Sequence, residues 1–250
     1  MRVLLLLLFA LMLSGQRDPI LVPEVSQHEV QVRQGFTGTE LLLFGAIIDP
    51  AGRGVGGQYD IVVVLKGPPE PIRLREKARF AGVWVNAEST DFRSVPSFFA
   101  VASSRPIEEI VDQKTAAIYE FGTEYIQLSP TGIIDPEEQA RFAAGLVDLK
   151  TRQNLYQEIV GGVELREDVL YQARISLPSN VSTGIYTAET FAVTDGRVIA
   201  SAMAEVAVRK VGFERFIENS ANHWGLYYGF AAVVLSIGMG WAASRFYAMI

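Results

Sequence analysis

Residues 39–48 read TELLLFGAII and residues 59–67 read YDIVVVLKG, and these two runs decide the fold class. Each is short, rich in β-branched or aromatic side chains, and bounded by Gly, Pro or Asp, as strands are. Four more runs of the same kind surround them: EVQVR (29–33), PIRLREK (71–77), RFAGVWVNA (79–87) and SFFAVAS (97–103). Several alternate in polarity, as a strand with one wet face does. No helical period separates them, which argues against a βαβ arrangement. The spacing predicts an immunoglobulin-like antiparallel sandwich within residues 17–103. The connection DPAGRGVGGQ (49–58) carries four glycines but no GK[ST] ending, and it leads into a strand. It lacks the helix N-terminus that holds a phosphate and reads as a hairpin loop.

Residues 104–162 change character and predict a helical insertion. SSRPIEEIVDQ has Ser before Pro106 and acidic residues in a first turn. DPEEQARFAAGLVDLKTRQNLYQEIV is the stronger helix signal, with Asp135 as cap, Pro136 at the first position and two glutamates at the positive end of the dipole. Phe142, Leu146, Leu149 and Tyr156 are expected on one apolar face, with Gly161 and Gly162 ending the helix. That face packs on the sandwich or fills a partner's groove. Residues 163–210 return to strands: YQARISLP, GIYTAETFAVT and RVIASAMAEVAV, with a tight turn at Asp195-Gly196. They form a second β unit or complete the first.

The two ends are the most apolar parts of a chain whose mean hydropathy is +0.21. Met1-Arg2 precedes an apolar run of 11 residues and the polar SGQRDP. This is the pattern of a secretory signal peptide, assigned to residues 1–16, cleaved or retained. It is too short to cross about 30 Å of hydrocarbon. Residues 224–244 read WGLYYGFAAVVLSIGMGWAAS, 21 residues without a charge, and predict a transmembrane helix. Trp224, Tyr227 and Tyr228 mark one interface, Trp241, Phe246 and Tyr247 the other. Gly225, Gly229, Ala232, Ser236, Gly240 and Ser244 are the candidate helix-packing face, since small residues at that spacing let another helix approach. Residues 211–223 are a juxtamembrane linker and 245–250 a short tail.

Topology signals conflict. Arg209, Lys210 and Arg215 precede the span and only Arg245 follows it. Basic flanks alone place the N-terminal side in the cytoplasm. The signal peptide dictates the opposite, because export of the domain precedes synthesis of the last helix. The expectation is a domain outside the cytoplasm and a cytoplasmic C-terminus.

Composition narrows the chemistry. The net charge of -6, with no dense basic patch, argues against nucleic-acid binding. With no cysteine, disulfides, thiolate metal sites and cysteine nucleophiles are excluded. The two histidines, His28 and His223, are far apart in sequence, and no metal or cofactor is expected. No catalytic residues emerge: Ser103-Ser104-Arg105 lacks a nucleophile elbow. Arg105, where strands give way to helix, is the one ligand-binding candidate, for an oxyanion or an acidic partner. The competing reading is a structural ion pair.

Several stretches carry a family resemblance: VSQHEVQVRQGFTGTELLLFGA (25–46), YDIVVVLKGP (59–68), AGVWVNAESTDFRSVPSFFAVASSRP (81–106), LYQE (155–158), LPSNVSTGIYTAETF (177–191) and KVGFE (210–214). In these the chain resembles the putative transmembrane protein family of alphaproteobacteria. The resemblance implies a bacterial inner-membrane protein with a periplasmic domain. It also implies a neighbourhood of permeases similar to sulfite and organosulfonate exporters, and hence an accessory role. The expected partner is such an integral membrane protein, or a second copy through the transmembrane helix. The alternatives are a periplasmic ligand- or anion-binding sensor and an envelope hydrolase.

Overall fold

The computed structural model describes residues 19–33, 35–48, 59–132, 134–167, 169–211, 217 and 220–247. These fall into two compact units, one within Met1–Val30 and Thr37–Val208, the other within Gln31–Phe36 and Arg209–Ile250. The signal-peptide segment and the glycine-rich 49–58 connection lie outside the described residues.

Strand β3 (Gly38–Ile48) alternates, burying Leu41, Leu43 and Ile47 while Glu40, Phe44 and Ile48 face water. It is the spine of a four-stranded antiparallel sheet in the order β1-β3-β11-β10, with β1 at Ile20–Val25, β10 at Val163–Arg166 and β11 at Leu170–Pro178. Strand β4 (Asp60–Lys66) instead buries all of Ile61–Leu65, the pattern of a strand covered on both faces. It sits inside a six-stranded sheet, β2-β13-β12-β4-β7-β9. The other members are β2 (Glu29–Val32), β7 (Phe99–Ser103), β9 (Tyr156–Val160), β12 (Gly184–Thr194) and β13 (Arg197–Lys210). Tyr171 of β11 joins the two layers, its hydroxyl 3.4 Å from Thr190 Oγ1 on β12. Gly45 makes room for it, because a Cβ there would lie 2.6 Å from the Tyr171 oxygen and 2.3 Å from the Val22 carbonyl oxygen.

Strands from both halves of the chain share these sheets. β11 pairs with β3, and β12 pairs with β4, so residues 163–208 extend sheets begun before residue 67. The expectation of a purely antiparallel architecture is corrected at the ladder of β7 and β9, which run parallel. Parallel neighbours need a long crossover. The segment between them is that crossover, and it holds helices α1 (Ile107–Ile110), α2 (Gln113–Tyr119) and α3 (Pro136–Arg152), a 3-10 turn at Thr123–Tyr125, and the two-residue strand β8 (Ser129–Pro130). Tyr119 and Phe121 meet Phe191 of β12 edge-on at 5.4 and 5.1 Å between ring centres.

Helix α3 starts as its sequence dictates. Asp135 accepts from Glu137 N at 2.9 Å, and Pro136 occupies the first turn. The helix stops earlier than expected, at Arg152. Asn154 takes a left-handed φ of 57°, and Tyr156 enters β9, where its ring packs on Phe99. Leu149 is correspondingly 46% exposed. The buried line is Phe142, Leu146 and Lys150, one residue every four, so the face drawn through Leu149 and Tyr156 is wrong. Phe142 and Leu146 close a small core with Phe92, Val95, Ile72 and Leu74.

Those last residues belong to β5 (Pro69–Phe80) and β6 (Val83–Pro96), which form a long hairpin extended by β8 into a third sheet. RFAGVWVNA is therefore not one strand. Ala81 (φ 48°) and Gly82 (φ 87°) turn the chain in its middle, as a tight two-residue hairpin turn requires.

In the second unit, α4 spans Gly225–Tyr247 and is the one helix among the described residues long and apolar enough to cross a membrane, over Gly225–Arg245. None of that span is buried. The side chains of Phe246 and Tyr247, and residues 248–250, lie outside the described set.

Candidate functional site

Arg105 follows β7, and its guanidinium folds back on Asp60 at the start of β4. Nε donates to Asp60 Oδ1 at 2.9 Å and Nη2 to Oδ2 at 2.6 Å, a bidentate clamp, while Nη1 reaches Glu109 at 3.4 Å. Ser104 Oγ donates to the same Oδ1 at 2.9 Å. The Arg105 guanidinium holds the Asp60 carboxyl below the usual 3.8, against the opposing push of burial. An open groove of about 790 Å³ adjoins the clamp, lined also by Glu108, Asp112 and Asp195. Its rim is acidic, so an incoming anion meets repulsion and must compete with Asp60 for the guanidinium.

A second open cleft, of about 680 Å³, lies between α1, α2 and β9 and is lined by Glu108, Asp112, Glu124 and Glu158. Two of these carboxylates are already engaged. Asp112 caps α2 by accepting from Thr115 N at 2.9 Å, and Glu158 accepts from Thr123 N and Oγ1, both at 2.6 Å. No group of three or more potential metal ligands occurs among the described residues. His28 pairs with Glu24 at 3.1 Å on the surface, and His223 is exposed.

A polar cluster that sequence reasoning missed lies under the hairpin base. Lys150, its side chain 9% exposed, places Nζ 2.7 Å from Glu70 Oε1 and 3.5 Å from the Ser97 carbonyl oxygen. Ser182 Oγ approaches the other Glu70 oxygen at 3.4 Å. Tyr156 and Tyr186 donate to the Pro96 and Ser182 carbonyls, both at 2.8 Å. Burial pushes the Tyr156 hydroxyl far above its usual value and that of Tyr186 up to about 12. The carboxylate, ammonium and two phenols of this cluster are thus engaged, and Ser97 Oγ beside them is the one buried side-chain polar atom without a hydrogen-bond partner among the described residues.

The exposed end of the hairpin is the other feature the sequence reading passed over. Phe80 is 76% exposed, Trp84 66% and Val83 64%. Cross-strand partners point to one face of a ladder. Phe80↔Val83 and Ala78↔Val85 thus form an apolar face, and Arg79↔Trp84 and Lys77↔Asn86 the opposite one. The signal was present as period-two cations, Arg73, Arg75, Lys77 and Arg79, running into aromatic residues around Ala81-Gly82.

Gly225, Gly229, Ala232, Ser236, Gly240 and Ser244 all lie on α4 and all are exposed. A Cβ built at Gly225, Gly229 or Gly240 would meet open space.

A family model described as "Putative transmembrane protein (Alph_Pro_TM)" matches residues 20–248. No curated protein matches the chain. Among solved structures, the chain is similar to the N-terminal domain of the Streptococcus gordonii adhesin Sgo0707, at 7% identity and a TM-score of 0.29, over 78% of this chain and 33% of that one. The chain thus spans about a third of that structure's length, and a likeness at this level carries no functional weight.

Proposed function

We propose, from the premise that the chain belongs to the family described as Putative transmembrane protein (Alph_Pro_TM), that it is a non-enzymatic accessory protein of the bacterial inner membrane. Its β domain reads as an immunoglobulin-like sandwich with a helical crossover, exported behind the signal peptide to the periplasm. The C-terminal helix holds it at the membrane, where it docks on an integral membrane protein. The resemblance points to a permease of the sulfite or organosulfonate exporter kind.

The carrying observation is the anchor. Gly225–Arg245 is wholly unburied, and its glycines face open space. Lipid gives no hydrophobic drive for one helix to leave it for another, so helix pairing in a bilayer rests on close packing. Six small residues on α4, four of them from Ala232 to Ser244 at four-residue steps, are what such packing needs. The ligand-sensor alternative draws less support, because Arg105 already directs three hydrogen bonds to Asp60 and Glu109.

The test is gentle detergent purification of the tagged full-length chain from its native host, with mass spectrometry of bound proteins. The control carries an unrelated single-span anchor in place of residues 224–244. A stoichiometric membrane protein that is lost with the swapped anchor is the expected result. An empty preparation in both samples would remove the accessory reading.

A further inference from the structure

We propose that the tip of the β5–β6 hairpin is a second, peripheral membrane contact, seated in the interfacial region of an anionic lipid surface. This goes beyond the accessory reading and does not depend on it.

Among the described residues, the hairpin is supported at its base and at one point midway. There Ile72, Leu74 and Phe92 pack on Phe142 and Leu146 of α3. Midway, Glu76 and Glu88 stand directly opposite each other, and Arg141 of α3 bridges the two, at 3.3 Å from Glu76. Beyond this clamp, every residue from Lys77 to Ala87 is exposed. A two-stranded ribbon in water gains little from such side chains. Yet this segment carries Phe80, Val83, Trp84 and Val85.

Charge names the occupant. Arg73 is neutralised by Asp91 at 2.5 and 2.8 Å, but Arg75, Lys77 and Arg79 on the same face form no ion pair among the described residues. Three cations rising to a Trp at a turn match the layered chemistry of an anionic bilayer surface. The ring sits at the headgroup level, the cations meet phosphates, and the apolar turn reaches the acyl boundary. A protein groove fits less well. Apolar residues project from both faces of a narrow ribbon, and the tip is small against the roughly 800 Å² per partner of a stable protein interface.

The absence of cysteine gives a direct test. Val83→Cys in the full-length chain, labelled with an environment-sensitive NBD dye, is reconstituted into phosphatidylcholine vesicles with and without phosphatidylglycerol. Ser201→Cys, exposed on β13, is the control. The expected result is blue-shifted emission and quenching by doxyl lipids at position 83 and not at 201, stronger with phosphatidylglycerol. Lys77→Gln with Arg79→Gln should lower the inserted-to-free ratio roughly twenty-five-fold, about fivefold per cation, and added salt should act likewise. A label at position 83 that stays in water in every vesicle overturns the proposal. So does one shielded only in native membranes, which would assign the tip to a protein partner. The labelled site is exposed, so a folding failure of the charge variants leaves the first readout intact.

Discussion

Replacing Lys150 by Met tests how the crossover helix is fastened to the hairpin base. Met keeps roughly the length of the buried stem but removes the ammonium that meets Glu70 and the Ser97 carbonyl. Glu70 then keeps only Ser182 Oγ at 3.4 Å. Breaking a fully buried ion pair by removing one partner costs about 3–5 kcal/mol. Here the two partners differ: the Lys150 side chain is 9% exposed and that of Glu70 is 34% exposed. An orphaned Glu70 can rehydrate, so Lys150→Met should cost about 1–3 kcal/mol, below the buried-pair range. An orphaned Lys150 cannot rehydrate, so Glu70→Met should cost about 3–5 kcal/mol. The double variant should be more stable than the sum predicts, with a coupling of about 2 kcal/mol. Thermal unfolding of the full chain in detergent, followed by the β-sheet circular dichroism signal, reads this at about 2–4 °C per kcal/mol. Strictly additive single effects would refute the coupling, and a Lys150 variant less stable than the Glu70 variant would refute the asymmetry.

Three further outcomes follow from the same contacts. Because Arg105 depresses the folded Asp60 carboxyl below 3.8, the unfolded chain takes up that proton first. The clamp's contribution is therefore present above about pH 4 and lost as pH falls through the folded value. Asp60→Asn should flatten the acid limb of the stability profile and leave the neutral region's slope unchanged. At the alkaline end, burial raises Tyr156 and Tyr171 and takes Tyr186 to about 12. Their contribution is full below about pH 10 and falls as pH rises towards the folded values. Tyrosinate absorbance should show these three ionising only as the domain unfolds. Gly45→Ala would drive a methyl into the Val22 carbonyl and the Tyr171 hydroxyl. Urea unfolding should show a loss of about 1–3 kcal/mol, and Tyr171→Phe in the same chain should recover part of it.

The strands with one wet face were legible because their alternation is a local property. β3, β11 and β12 appear where the pattern puts them. The Asp195-Gly196 turn was legible for the same reason, with φ values of 49° and 74°. β1 was passed over because Pro23 sits within it, and only an edge strand tolerates that. The end of α3 was misplaced because a charge, Lys150, occupies its third buried position. Its partner Glu70 lies 80 residues away and no window reveals it. The parallel β7–β9 pair was hidden for a related reason. Both strands look alike whichever way they run, and direction is set by the crossover. Arg105 lies at the strand-to-helix junction, and its partner Asp60, 45 positions upstream, is beyond any local window.

A domain outside the cytoplasm on a C-terminal anchor is proposed despite the basic residues Arg209 and Lys210 on the domain side. A single Ser201→Cys in the otherwise cysteine-free chain tests it, using a membrane-impermeant maleimide on cells with only the outer membrane opened. Labelling in intact spheroplasts, unchanged on lysis, is the predicted result. Labelling that appears only after lysis would place the domain in the cytoplasm and contradict the account.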